Sequence, residues 1–122
     1  MSKADLHQRL NKAYEIGLSV KGRKSGRDIP RPIWFAHEGN TLYMLPVRGS
    51  DTNWYKNLLV DPTLKISVNA GVGEGEEIPA RSKPITDSNR VDGIVGKFKS
   101  KYGERNVKQY YTNFDVAVEV PL

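Results

Sequence analysis

The chain has 122 residues, no cysteine and a formal net charge of +5. That length suits one domain with a core of its own, and the missing thiols exclude disulfides, thiolate metal ligands and thiol nucleophiles. His7 and His37 are the only histidines, so no His-based zinc centre or Ser-His triad is expected, and both read as surface residues. No apolar run approaches the roughly 20 residues of a membrane span. A soluble protein of the reducing cytoplasm, without membrane association, is expected.

Ser2-Lys3-Ala4-Asp5 resembles a capping box, and Leu6, Leu10 and Tyr14 follow at helical spacing, which predicts a helix over about 3–13. Ile16, Leu18 and Val20 then alternate with Gly17, Ser19 and Lys21 as a half-buried strand. A basic turn leads to a second strand, Pro32 to Ala36, whose prolines confine its start to an edge or a bulge. Glu38-Gly39-Asn40 is a hairpin turn, and Thr41 to Val47 returns as the third strand. Asp51 or Thr52 caps a short helix carrying Trp54 and Leu58, which Asp61-Pro62 ends. Leu64, Ile66 and Val68 alternate as a fourth strand. Asn69 to Gly75 is a glycine-rich turn, and Ile78 to Ile85 a fifth strand. Asp87 or Ser88 opens the strongest helix, with Val91, Ile94, Val95, Phe98 and Tyr102 on one face and Gly103 as its stop. Gly93 and Gly96 weaken that helix, and close packing on a sheet would explain them. Val116, Val118 and Val120 belong to a last strand that starts at Phe114. The pattern predicts a mainly β, α+β domain. Its six antiparallel strands close into a small barrel, with an N-terminal helix, a short mid-chain helix and a helix before the last strand.

The chemistry concentrates in one turn. Between Lys21 and Arg31 lie five cations, Lys21, Arg23, Lys24, Arg27 and Arg31, against the single acid Asp28. A glycine-flanked turn of this kind gathers backbone N–H groups, a guanidinium fork, an ammonium and the Ser25 hydroxyl, the donors a phosphate needs. Charge focused on one loop favours a discrete anionic ligand over a nucleic-acid track, which would need aromatics spread across an open sheet face. The turn lacks P-loop spacing and no helix follows it. Gly71-Val72-Gly73-Glu74-Gly75 leads into acids and a strand, so it reads as a hairpin tip and not a dinucleotide fingerprint. Trp34 is either a core residue or a platform for a planar ring, and Asn57 either pins a loop or reaches a ligand.

Gly22-Arg23-Lys24-Ser25-Gly26, Pro32-Ile33-Trp34-Phe35, Gly39, Arg48-Gly49 and Trp54-Tyr55-Lys56-Asn57-Leu58-Leu59 before Asp61-Pro62 occur in that order. In this the chain resembles the deazaflavin-dependent nitroreductase family, split β-barrel flavin and deazaflavin oxidoreductases related to pyridoxamine-phosphate oxidase. The resemblance implies a split-barrel domain over residues 1–122 that binds coenzyme F-420, a 5-deazaflavin with a phosphodiester and an oligoglutamate tail. It places Arg23, Lys24 and Ser25 on the phosphate and the start of the tail. Pro32, Ile33 and Trp34 would line the slot beside the ring. Leu45, Pro46, Val47 and Arg48 would present backbone to the ring edge and a cation to the tail, while Asn53, Trp54 and Asn57 close the far wall. The implied reaction is hydride transfer to a small electron-poor organic acceptor. FMN is the alternative cofactor, since its phosphate makes the same demand of the loop. Val47 stands where related nitroreductases carry a serine, which leaves a non-catalytic F-420 carrier as a further alternative. The catalytic residues are not identified, and a homodimer is compatible with the family.

Overall fold

The computed structural model describes residues 3–68 and 77–122. Helix α1 (Lys3–Lys12) precedes strands β1 (Ile16–Lys21), β2 (Asp28–Ile33), β3 (Ala36–Glu38) and β4 (Thr41–Met44). A 3-10 turn (Gly49–Asp51) leads into α2 (Asn53–Val60) and β5 (Thr63–Ser67). Then come β6 (Ile78–Arg81), β7 (Lys83–Ile85), α3 (Ser88–Tyr102), α4 (Glu104–Tyr110) and β8 (Ala117–Pro121). The expected capping box at Ser2 and the turns from Asn69 to Gly75 lie wholly or partly outside the described residues.

The strands form two four-stranded antiparallel sheets, in the orders β2-β1-β5-β6 and β3-β4-β8-β7. This corrects the six-stranded barrel of the sequence reading, because two of the expected strands each break in the middle. The predicted strand Pro32 to Ala36 straddles a bend at Trp34 and Phe35. Pro30 and Pro32 lie within β2, opposite Ser19 and Gly17. That strand is an edge of its sheet, where a residue without an N–H can sit with its free side outward. The predicted strand Ile78 to Ile85 breaks at Ser82. Its backbone N–H and its hydroxyl both donate to the Pro62 carbonyl, at 2.8 and 3.0 Å, and so turn the chain from one sheet into the other.

Two apolar clusters follow from strand alternation. Leu18, Val20, Leu64 and Ile66 of the first sheet meet Leu42, Met44, Val118 and Val120 of the second, with Leu6 and Leu10 of α1 and Trp54 and Leu58 of α2. On the other face of the second sheet, Ala36 and Ala117 pack under Val91, Ile94, Val95 and Phe98 of α3 and Val107 of α4. Strand β8 thus has apolar residues on both faces, as a strand between two layers must. Asp87 caps α3, its carboxylate accepting from the Asn89 N–H at 2.9 Å.

Gly103, with φ at 94°, ends α3 as expected, but the chain then turns directly into α4. Gly93 and Gly96 lie on the exposed side of α3, where an added Cβ would meet nothing within 4 Å. Close packing does not explain them. Tyr102 ties three elements together. Its hydroxyl donates to the Tyr14 carbonyl at 2.6 Å and accepts from the Phe35 N–H at 3.0 Å, which pins the bend between β2 and β3.

Candidate functional site

Five residues that the sequence picks out, Arg23, Lys24, Ser25, Asn53 and Asn57, together with Gly22, line one open cavity of about 250 Å³. The β1–β2 turn supplies one wall and the first turns of α2 the other. The turn closes through backbone bonds from the Gly22 N–H to the Arg27 carbonyl and from the Gly26 N–H to the Gly22 carbonyl, at 2.9 and 2.8 Å. Gly22 is closely approached, since a Cβ there would stand 2.7 Å from the Ser25 hydroxyl, which would have to turn aside. Ser25 in turn accepts from the Arg27 N–H at 3.2 Å.

Asn57 is buried on α2 and fixes the turn from below. Its Oδ1 accepts from the Arg23 N–H at 3.1 Å and from Arg23 Nη1 at 2.7 Å, and Nη1 also reaches the Asn53 carbonyl at 3.3 Å. Of the two readings left open for Asn57, the structure shows the loop pin. The guanidinium uses one corner for this clamp and keeps further donors for a ligand. Among the described residues no carboxylate forms an ion pair with Arg23 or Lys24. The N-terminal turn of α2 adds its own positive potential on the same side. The arrangement can hold a phosphate or a carboxylate.

The residues expected around the ring are placed differently from one another. Pro32 is exposed on the edge strand, whereas the side chains of Ile33 and Trp54 belong to the first apolar cluster and Leu45 to the second. Trp34 is half-buried. Its indole stacks on Tyr102, with centroids 4.3 Å apart and planes 9° from parallel, and on Tyr110 at 4.8 Å and 24°. Much of its π surface is therefore taken up by tyrosines of this chain. Neither Tyr102 nor Tyr110 was legible as a partner for Trp34, because only the bend at Phe35 and the turn into α4 bring them together.

The basic loop after β4 is held by its backbone. The Val47 carbonyl accepts from the Thr112 N–H and hydroxyl at 2.8 and 3.1 Å, and the Arg48 N–H donates to Thr52 Oγ1 at 2.8 Å. Those two groups are spoken for within the chain. Pro46 is buried and accepts from the Gly49 N–H at 3.1 Å. Gly49 has φ at 56°, and a Cβ there would collide with the Asp115 carboxylate. That carboxylate takes the Ser50 N–H at 2.9 Å and the Ser50 hydroxyl, whose hydrogen bonds hold it below the usual carboxylate range. Arg48 is left exposed at the loop tip.

The fold is thus α+β, with two antiparallel sheets and a cationic cavity lined by Arg23 and Lys24. The F420H2-dependent quinone reductase family model matches residues 1–121, and the chain belongs to that family. No curated protein sequence matches it. Among solved structures it is similar to an F420-H2-dependent reductase, at 17% identity and a TM-score of 0.64 over 88% of this chain and 93% of that one. It is also similar to a Bacteroides thetaiotaomicron protein put forward as a 5-nitroimidazole antibiotic resistance protein, at 15% identity and a TM-score of 0.72, covering 98% of this chain and 79% of that one. The haem-storage protein of Vibrio cholerae shares the fold at 13% identity and a TM-score of 0.71, with 98% and 88% of the two chains covered. Among the described residues no helix is long and apolar enough to cross a membrane.

Proposed function

We propose that this chain binds coenzyme F-420 at the cationic cavity and transfers hydride to a small, electron-poor organic acceptor. The observation that carries the reading is the meeting of Arg23, Lys24 and Ser25 with Asn53 and Asn57 around one cavity. That donor set fits a phosphodiester flanked by carboxylates: a guanidinium fork, an ammonium and a hydroxyl converge, and no acid of the described residues pairs with the two cations. Family membership supports the choice of cofactor.

A bound reduced deazaflavin supplies a hydride from C5 of its ring. The chain supplies position. Arg23 and Lys24 hold the anionic end, and the Asn57 clamp keeps the turn in one shape before binding, so little ordering remains to be done. Pro32 on the edge strand and Arg48 at the loop tip flank the ring and the tail. Trp34 acts through its tyrosine stack, as a rigid wall and not as a free platform. Val47 offers no proton at the position where related nitroreductases carry a serine.

Titration of the purified chain with F-420, FMN, FAD and haem, followed by visible absorbance and fluorescence, tests the reading. Saturable binding of one F-420 per chain, with its reduced form oxidised when an electron-poor quinone is added, is the expected result. Tight FMN binding with none of F-420 would replace it with a flavin reductase. Saturable F-420 binding without turnover would leave a carrier.

A further inference from the structure

Outside the cationic cavity, the fold brings together the two histidines that the sequence reading left on the surface. His7 on α1 and His37 on β3 are each half-buried, and their ring centroids lie 5.0 Å apart with planes tilted by 54°. The Nε2 atom of each ring is buried and has no hydrogen-bond partner. His37 Nδ1 lies 3.0 Å from Oδ1 of Asn11. With the Asn11 oxygen facing the ring, Nδ1 donates to it, and in that tautomer Nε2 of His37 is left as a bare acceptor. A buried lone pair without a donor is costly and calls for an occupant. Asn11 lies one helical turn beyond His7, so a single face of α1 presents one imidazole and fixes the tautomer of the other.

We propose that His7 and His37 form a two-imidazole site for a borderline divalent cation, Zn2+ or Cu2+, that joins α1 to β3. Two imidazoles bound through nitrogen to one zinc at about 2.0–2.1 Å, at a near-tetrahedral angle, have ring centroids about 5 Å apart. The observed separation meets that condition. The Asn11 contact is the kind of support that a ligating histidine receives on its other ring nitrogen. Imidazole donors select zinc and copper over magnesium and calcium, which prefer oxygen. Burial, followed by the neighbouring His7, lowers the pKa of His37, against a weaker pull from the Gly39 carbonyl. Among the described residues no group of three or more His, Cys, Asp or Glu is placed to hold a metal, so water completes the shell. The charge of Lys101, which also bears on His37, works against a second cation.

The test uses the full chain, stripped with chelator, in calorimetric titrations with ZnCl2 and in electron paramagnetic resonance with CuCl2. One ion per chain should bind, with MgCl2 giving no heat, and the copper spectrum should show coupling to two imidazole nitrogens. His7→Gln and His37→Gln should each weaken zinc binding by about tenfold or more, and the double variant should abolish it. Absence of binding, or affinity kept in both single variants, would overturn the site. The copper spectrum needs no variant, and one without imidazole coupling would overturn it equally.

Discussion

At the scale of single residues, Asn57 decides whether the cationic turn is a site or only a charged surface. Its amide oxygen takes two donors of Arg23, one from the backbone and one from the side chain. Asn57→Ala should leave the Arg23 N–H without its acceptor, costing about 1–2 kcal/mol of stability in urea unfolding and loosening the turn. Asn57→Asp separates the clamp from the charge. A carboxylate there keeps the acceptor and pairs with Arg23, so stability should hold while cofactor affinity falls by about tenfold, as calorimetry would show. Affinity unchanged in Asn57→Asp would mean that Arg23 does not face the ligand. The sequence marked Asn57 by its place on a short helix after a basic loop. It could not say that Arg23 lies opposite, since the two are 34 residues apart and only packing of α2 against β1 joins them. Trp34 was ambiguous for the same reason. Its partners come from three places in the chain, Tyr14, Tyr102 and the pair Tyr110 and Tyr111.

At the scale of elements, alternation sufficed for β1, β4 and β5, and the cap and stop of α3 fell at Asp87 and Gly103. Alternation carries no information about which sheet a strand enters, so the bends at Phe35 and Ser82 were illegible and two strands were expected in place of four. Helix α4 escaped because it buries only Val107 among its seven residues, too few for a periodic signal. The glycines of α3 make a prediction of their own. Nothing within 4 Å of a built Cβ opposes Gly93→Ala or Gly96→Ala. Each should stabilise the chain by about 0.5–1 kcal/mol through helix propensity, and the two should be nearly additive in urea unfolding. Destabilisation by either would mean that this face of α3 is covered in the assembled protein.

At the scale of the whole molecule, the interior shapes the response to alkaline pH. Lys101 donates to the Phe35 carbonyl at 3.0 Å and lies 3.4 Å from the centre of the Phe35 ring. The residue is exposed, but partial desolvation of its ammonium against that ring lowers its pKa from 10.5 to about 8. Between those values the unfolded chain holds a proton that the folded chain has released, so stability rises with pH across this window. Burial also pushes Tyr102 up to about 12 and Tyr111 higher still. Above pH 10 the unfolded phenols lose protons that the folded ones keep, and stability falls. The urea midpoint should therefore climb modestly from about pH 8 to 10 and then drop, the climb being small because the ammonium is partly solvated. Lys101→Met should remove the climb and leave the drop. A profile unchanged by that substitution would contradict the assignment.

The most direct test of the proposed cofactor site is F-420 affinity by fluorescence titration, in the unaltered chain, in Lys24→Ala and in Arg23→Ala/Lys24→Ala. Lys24 makes no ion pair among the described residues, so its loss should leave the urea midpoint in place and weaken binding by about tenfold. Two charge-assisted contacts removed together should cost about 3 kcal/mol or more, a loss of at least about a hundredfold. Affinity unchanged in the double variant would contradict the placement of the cofactor's anionic end in this cavity.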